Sequence, residues 1–249
     1  MTTKNLFKQV FQFKETNCFI ISDRKSAIDK AISSIKYHRD ELDRYVKTHP
    51  KFLYSLEPVS AKDGPLIARL MVEASEKVNV GPMAAVAGAL ADRAVRDMID
   101  TGCRIAIVEN GGEVSAVSNR PIDIALLAGD SLLSKQIGFR LEEFPTGVAT
   151  SSGLFSHALS FGEAEAVTVF AVNAGLADAV STAVGNLVKG DDCRGAIERG
   201  INEALSVEGV KGVFISYRGF VGKAGQIPKM IKVREEDSSR IFSAVQQVS

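Results

Sequence analysis

The chain has 249 residues, enough for one large domain or two intimate halves around a substantial core. Hydrophobic residues make up 45% and charged residues 24%, an ordinary globular composition that excludes a disordered or fibrous chain. Lys+Arg 30 balances Asp+Glu 30, so there is no global attraction to nucleic acid or to an anionic membrane. The opening Met1-Thr2-Thr3-Lys4-Asn5 lacks the apolar core of a signal peptide, and no stretch approaches the roughly 20 apolar residues that span a bilayer. Cys18, Cys103 and Cys193 are widely separated and form no CxxC pair, which argues against a disulfide framework or a zinc knuckle. A cytoplasmic protein with reduced thiols is expected.

In chain order, Phe7 to Phe13 and Cys18 to Ser22 read as strands around a polar turn at Glu15-Thr16-Asn17. A helix follows, with Asp23 as its expected cap and Ile28, Ile32, Ile35, Leu42 and Val46 on one face. His49-Pro50 ends it, because a residue before proline avoids the helical region. Gly64-Pro65 opens a second helix through about Val78. From Val80 to Asp92 nearly every residue is small or apolar, which lets a helix lie close to a sheet or a ligand, and Gly102 stops it. Arg104 to Val108 reads as a buried strand and Asn110-Gly111-Gly112 as a tight turn. Glu113 to Ser118, Ile122 to Leu127 and Leu133 to Glu142 follow as antiparallel strands. A loop is expected over Gly147 to Gly153, then a strand at Ala166 to Val172. Helices over Ala174 to Val188 and Asp192 to Leu205, strands over Val210 to Tyr217 and Met230 to Arg234, and a short helix near Ile241 complete the chain. The grouping predicts α+β, with antiparallel sheets packed against Ala-rich helices. The two halves share a rhythm, but no clean sequence repeat establishes a duplication. No linker divides the chain, so a single domain over 1–249 is expected, its first 78 residues packed on a core formed by 79–249.

Four places carry chemistry. Gly147 and Gly153 frame Thr150, Ser151 and Ser152, whose hydroxyls and backbone N–H groups suit a phosphate, although Gly and Ser serve ordinary turns equally well. Asp178 and Thr182 stand four apart on one helix face, where a carboxylate and a hydroxyl make hard ligands for Mg²⁺; alternatively Asp178 complements the helix dipole and Thr182 bonds back to the preceding turn. His157, four residues after the glycine-framed segment, can bind a phosphate, stack on a ring or move a proton, or serve structure alone. Asn110-Gly111-Gly112-Glu113 lets a flat ligand approach closely, with Glu113 able to meet a hydroxyl or cation; a type I′ hairpin turn explains it as well. Nucleotide P-loop, zinc-protease, α/β-hydrolase and Rossmann fingerprints are missing, and with 7% aromatic residues and no basic stripe a nucleic-acid module is not expected.

Taken in order, four segments resemble the ApbE superfamily of FAD:protein FMN transferases, and most of all a short ApbE-like family of archaea and bacteria. Ala87-Gly88-Ala89-Leu90-Ala91-Asp92 is similar to the transferases' KGYAVD, Val108 to Glu113 to their VNxGGD, Gly147 to Gly153 with His157 to their GxATSG and following histidine, and Ala177 to Ala183 to their ADAxATA. The resemblance covers about Val80 to Leu187. It implies an ApbE-like fold, Mg²⁺ held by Asp178 and Thr182 with a backbone carbonyl from the first segment, and FAD or FMN lined by Asn110, Gly111, Gly112, Glu113, Gly147, Thr150, Ser151, Ser152, Gly153 and His157. It also implies an acceptor protein whose hydroxyl attacks, with Asp178 or His157 as the base. Departures weaken the transfer reaction: Ala87 stands where the lysine is, Glu113 replaces Asp, and Ala158-Leu159-Ser160-Phe161-Gly162 replaces DPRTG. Two alternatives stay open. One is sulfur assimilation into homocysteine, as associated with similar methanogen proteins, using a cysteine persulfide. The other is a flavin-binding or scaffold protein without turnover. The ligand, the oligomeric state and the roles of the cysteines are not set by the sequence.

Overall fold

The computed structural model describes residues 6–126, 137–153 and 162–233. The chain is α+β. Strands β1 (Phe7–Phe13) and β2 (Thr16–Ser22) form a hairpin, and helices α1 (Lys25–Thr48), α2 (Pro50–Tyr54), α3 (Leu66–Glu76) and α4 (Val86–Ile99) follow. A second hairpin, β3 (Ala106–Asn110) and β4 (Glu113–Val117), closes the first half. After β5 (Ile122–Ala125) and β6 (Ile137–Leu141) the rhythm returns: hairpin β7 (Thr146–Ser151) and β8 (Ala166–Ala171), helices α5 (Ala174–Leu187) and α6 (Cys193–Ser206), hairpin β9 (Val210–Tyr217) and β10 (Phe220–Gly225). The last described strand is β11 (Lys229–Lys232).

An eight-stranded antiparallel sheet runs β1-β2-β3-β4-β7-β8-β9-β10, so the hairpin–helices–hairpin halves lie side by side and meet where β4 pairs with β7. A three-stranded sheet, β11-β6-β5, covers part of its other face. Strand alternation sends successive side chains to opposite layers. Val108, Val167, Val169, Val213 and Ile215 join the helices, whereas Ile107, Phe170 and Phe214 meet the small sheet around Phe139. There Phe139 packs edge-on against Phe170, with centroids 4.9 Å apart, and against Phe214 at 5.9 Å.

The structure corrects three local readings. Asp23 does not cap α1, whose cap position is Arg24; its carboxylate instead accepts the N–H groups of Arg104 (3.0 Å) and Ile105 (3.1 Å), tying the end of β2 to the start of β3. Most of the segment from Gly147 to Gly153 is strand β7 rather than a loop. Strand β10 was not expected at all, since Phe220–Gly225 carries two glycines and takes its shape from pairing with β9. The expected helix near Ile241, the first residues of the strand expected from Leu133, and His157 lie outside the described residues.

Candidate functional site

The site begins where two strands part. β7 pairs with β4 only through Thr146, Gly147 and Val148, but continues against β8 as far as Ser151. Beyond Val114 the edge of β4 is free of β7, and a cleft of about 1200 Å³ opens there, reaching from the helices to the small sheet. Its walls include Ala87 of α4, the turn Asn110–Gly111–Gly112–Glu113, Val148, Thr150 and Ser152, and a stripe along α5 of Asp178, Thr182 and Asn186. Apolar walls come from Leu53, Val80, Met83, Leu90, Ile124, Leu126 and Phe139, and the exposed Tyr54 and Leu56 stand at its rim.

Strand alternation sorts the segment 147–153. Val148, Thr150 and Ser152 face the cleft, while Gly147 and Ser151 turn toward α5. A Cβ on Gly147 would stand 2.0 Å from the Asn173 carbonyl carbon, so the glycine is required by the approach of α5. Ser151 packs at Gly185, and a Cβ on Gly153 would meet the Gly162 oxygen at 2.1 Å. Gly147, Ser151 and Gly153 are therefore not on the cleft wall, and their composition reflects backbone packing. Thr150 and Thr168 share a hydroxyl–hydroxyl hydrogen bond of 2.9 Å on that wall.

The turn after β3 needs glycine, since φ is +69° at Gly111 and +117° at Gly112. It is held from both sides. Gly111 N–H donates to Asn17 O (3.1 Å), and Gly112 N–H donates to the buried Glu109 carboxylate (2.6 Å). Asn110 is more than a turn residue, because its side-chain amide donates to the Ala87 carbonyl at 2.9 Å. Neither Asn186 nor Thr168 was singled out in the sequence: Asn186 lies one helical turn beyond Thr182, a spacing that could have marked it, whereas Thr168 reaches the wall only through its cross-strand pairing with Thr150.

The cleft is acidic at one end. Asp178 accepts the N–H of Gly88 at 3.0 Å and that of Ala87, both in the first turn of α4. Burial nevertheless pushes its carboxyl up to about 7, and the charge of Asp92 adds to the effect. Glu113 is held well above the usual carboxylate range by burial, then by the charges of Asp178 and Glu109. Arg39 is the only Lys or Arg among the described residues lining the cleft, and it is engaged by Asp43 and Glu15. The donor set fits a divalent cation: a carboxylate and a hydroxyl one turn apart, with nearby negative charge that no side-chain cation among the described residues offsets. Among the described residues no three His, Cys, Asp or Glu side chains gather as a ligand group, so any cation would rest on Asp178, Thr182, carbonyls, water and the ligand's own oxygens.

The cysteines lie elsewhere. Cys18 and Cys103 are buried, the former with its thiol pushed up by burial, and Cys193 is half-exposed at the first residue of α6; none lines the cleft. No described helix is long and apolar enough to cross a membrane.

Glu109 allows a pH test. Burial lifts its carboxyl from the ordinary 4.5 to about 7 against one N–H bond. Below pH 4.5 it is protonated in both folded and unfolded chains; between there and about 7 only the unfolded chain releases the proton, so stability falls as pH rises and the loss is complete above about 7. Glu109→Gln keeps the acceptor for Gly112 and should remove about 2–3 kcal/mol of that loss. Denaturant unfolding at pH 4.5 and pH 8 would show this; equal pH dependence in both proteins would refute it.

The fold is that of the ApbE flavin transferases. The apo flavinyl transferase ApbE of Pseudomonas stutzeri superposes with a TM-score of 0.60 at 14% identity, over 89% of this chain and 95% of that one. The ApbE protein of Thermotoga maritima superposes with a TM-score of 0.55 at 15% identity, over 88% and 97%. In sequence, a family model described as AbpE bacteria matches residues 2–209. A UPF0280 protein of Methanococcus vannielii is 36% identical over 246 residues, covering 96% of this chain and 99% of its own length. One of Methanopyrus kandleri is 42% identical over 225 residues, covering 89% and 91%. The chain belongs to this UPF0280 branch of ApbE-like proteins.

Proposed function

We propose that the cleft binds a flavin nucleotide, FAD or FMN, together with Mg²⁺, and that the chain has little FMN-transferase activity of its own. The observation that carries the reading is the stripe Asp178–Thr182–Asn186 beside apolar walls, with Arg39, the sole lining cation among the described residues, already paired. A phosphorylated ligand placed against this acidic end needs a cation between the two negative groups, while the apolar walls suit a flat ring. Asp178 and Thr182 would hold Mg²⁺ near the Ala87 carbonyl. When bound, Mg²⁺ would neutralise pyrophosphate charge. Asn110 keeps the first turn of α4 in place, and Glu113 extends the acidic end. The resemblance to transferases supports a flavin over other phosphorylated ligands. An acceptor protein and a cytoplasmic location belong to the same reading.

The test is titration of the purified chain with FAD and with FMN, followed by flavin fluorescence, with Mg²⁺ and again with a chelator. Binding is expected with Mg²⁺, and the chelator should weaken it at least tenfold, since bound cations are the largest local charges in such a site. No binding at any Mg²⁺ concentration would overturn the reading. Mass analysis of small molecules released from freshly purified protein would then identify the occupant.

A further inference from the structure

We propose that Asp92, which does not line the cleft, is a positioning residue for the cation site, acting through the first turn of α5. The inference rests on the reading of Asp178 and Thr182 as cation ligands.

Helices α4 and α5 begin side by side, so close that a Cβ on Gly88 would stand 2.2 Å from the Ala174 oxygen. Each helix start is bound by a carboxylate from the other. Asp178 of α5 accepts the N–H of Gly88 at 3.0 Å. Asp92 of α4 accepts the N–H groups of Ala174 (2.9 Å) and Gly175 (2.8 Å). The first N–H groups of a helix have no acceptor within it, and negative charge is favoured there. The cap residue Asn173 satisfies only Leu176 N–H, at 2.8 Å, so Asp92 completes the set.

The exchange is not symmetric. Asp92 uses both oxygens on backbone donors and takes a third hydrogen bond from the Ser115 hydroxyl of β4 at 2.7 Å. It is thereby fixed to the central sheet. Asp178 lies on the cleft wall, one helical turn after Ala174, and Thr182 one turn further. The start of α5 is thus pinned, through Asp92, to the same strand pair whose parting opens the cleft. A slip or rotation of that first turn would carry both ligands with it. Outer partners of this kind typically change metal affinity about tenfold or more when removed.

The experiment uses the full chain and Mn²⁺ alone as the probe, with free Mn²⁺ read by electron paramagnetic resonance and folding read by circular dichroism and thermal melting. Asp92→Asn keeps one acceptor but turns an amide NH₂ against the other backbone N–H. It should weaken Mn²⁺ binding about tenfold at temperatures well below melting. Ser115→Ala should give a smaller loss, about threefold, and Ser115→Thr should restore it. If Asp92→Asn does not fold, the two Ser115 variants decide. Asp178→Asn is the control for the underlying reading. Should it leave Mn²⁺ binding unchanged, the cation site and this proposal fall together. Should it abolish binding while the folded Asp92 and Ser115 variants bind as the parent does, the cation site stands and the positioning role is overturned. A lower melting temperature with unchanged affinity would likewise make Asp92 structural only.

Discussion

Asp178→Asn is expected to weaken Mg²⁺-dependent flavin nucleotide binding about a hundredfold while the chain stays folded. Two unit charges 4 Å apart attract by about 4 kcal/mol at the effective dielectric of a protein surface, and the amide forfeits most of that. The fold survives because asparagine keeps an oxygen for the Gly88 N–H, the bond that fastens α5 to the start of α4. Without a cation, the substitution should stabilise the chain at pH 8. Burial raises the Asp178 carboxyl to about 7, so its charge at pH 8 is held at a cost that the variant removes. A site that is costly when empty is expected where function requires uncompensated charge. Calorimetry with FAD, with and without Mg²⁺, gives the affinity, and melting at pH 8 gives the stability. Equal binding by parent and variant would remove Asp178 from the cation site.

The order of elements was legible because it rests on periodicity. Ile28, Ile35 and Leu42 of α1 are buried as their spacing requires, and the apolar runs of β3, β8 and β9 are strands buried on both faces. What failed depends on partners distant in sequence. Gly147 and Gly153 looked like loop residues, but each is small because another backbone runs within about 2 Å of where its Cβ would be. Asp23 has the chemistry of a cap and is close to a helix start; the N–H groups of Arg104 and Ile105, some 80 residues later, claim it instead. Periodicity carries no information about such competition.

The site was legible in part for the same reason. Spacing alone puts Asp178 and Thr182 on one face of α5, and the structure adds Asn186 along the same stripe. The turn at Asn110 to Glu113 was readable from its glycines, but the bond from Asn110 to the Ala87 carbonyl spans 23 residues and was not. Asp92 shows the limit most clearly. In sequence it is one acid in an Ala-rich helix; in the fold it joins the beginning of α5 to Ser115 of β4.

The chain is expected not to cleave FAD efficiently by itself, even where it binds FAD. Binding needs an apolar wall and a cation to offset the pyrophosphate; cleavage needs charge stabilisation as the phosphoanhydride breaks and a placed base. Ala87 occupies the position where the resemblance to the transferases would put lysine, and it lines the cleft. Arg39 cannot substitute while Asp43 and Glu15 hold it. The stretch Ala158 to Gly162 also departs from the transferase pattern. Loss of one preorganised electrostatic contact lowers turnover by about a hundredfold or more. Incubation with FAD, Mg²⁺ and a flavin-acceptor peptide should therefore yield little AMP and no peptide carrying FMN. Ala87→Lys, at a half-exposed position on the cleft wall, should raise AMP release at least tenfold if the missing cation limits the reaction. Rapid AMP release by the parent chain with covalent FMN on the peptide would mean that the cleft stabilises the leaving phosphate without that lysine. The burden would then fall on Mg²⁺.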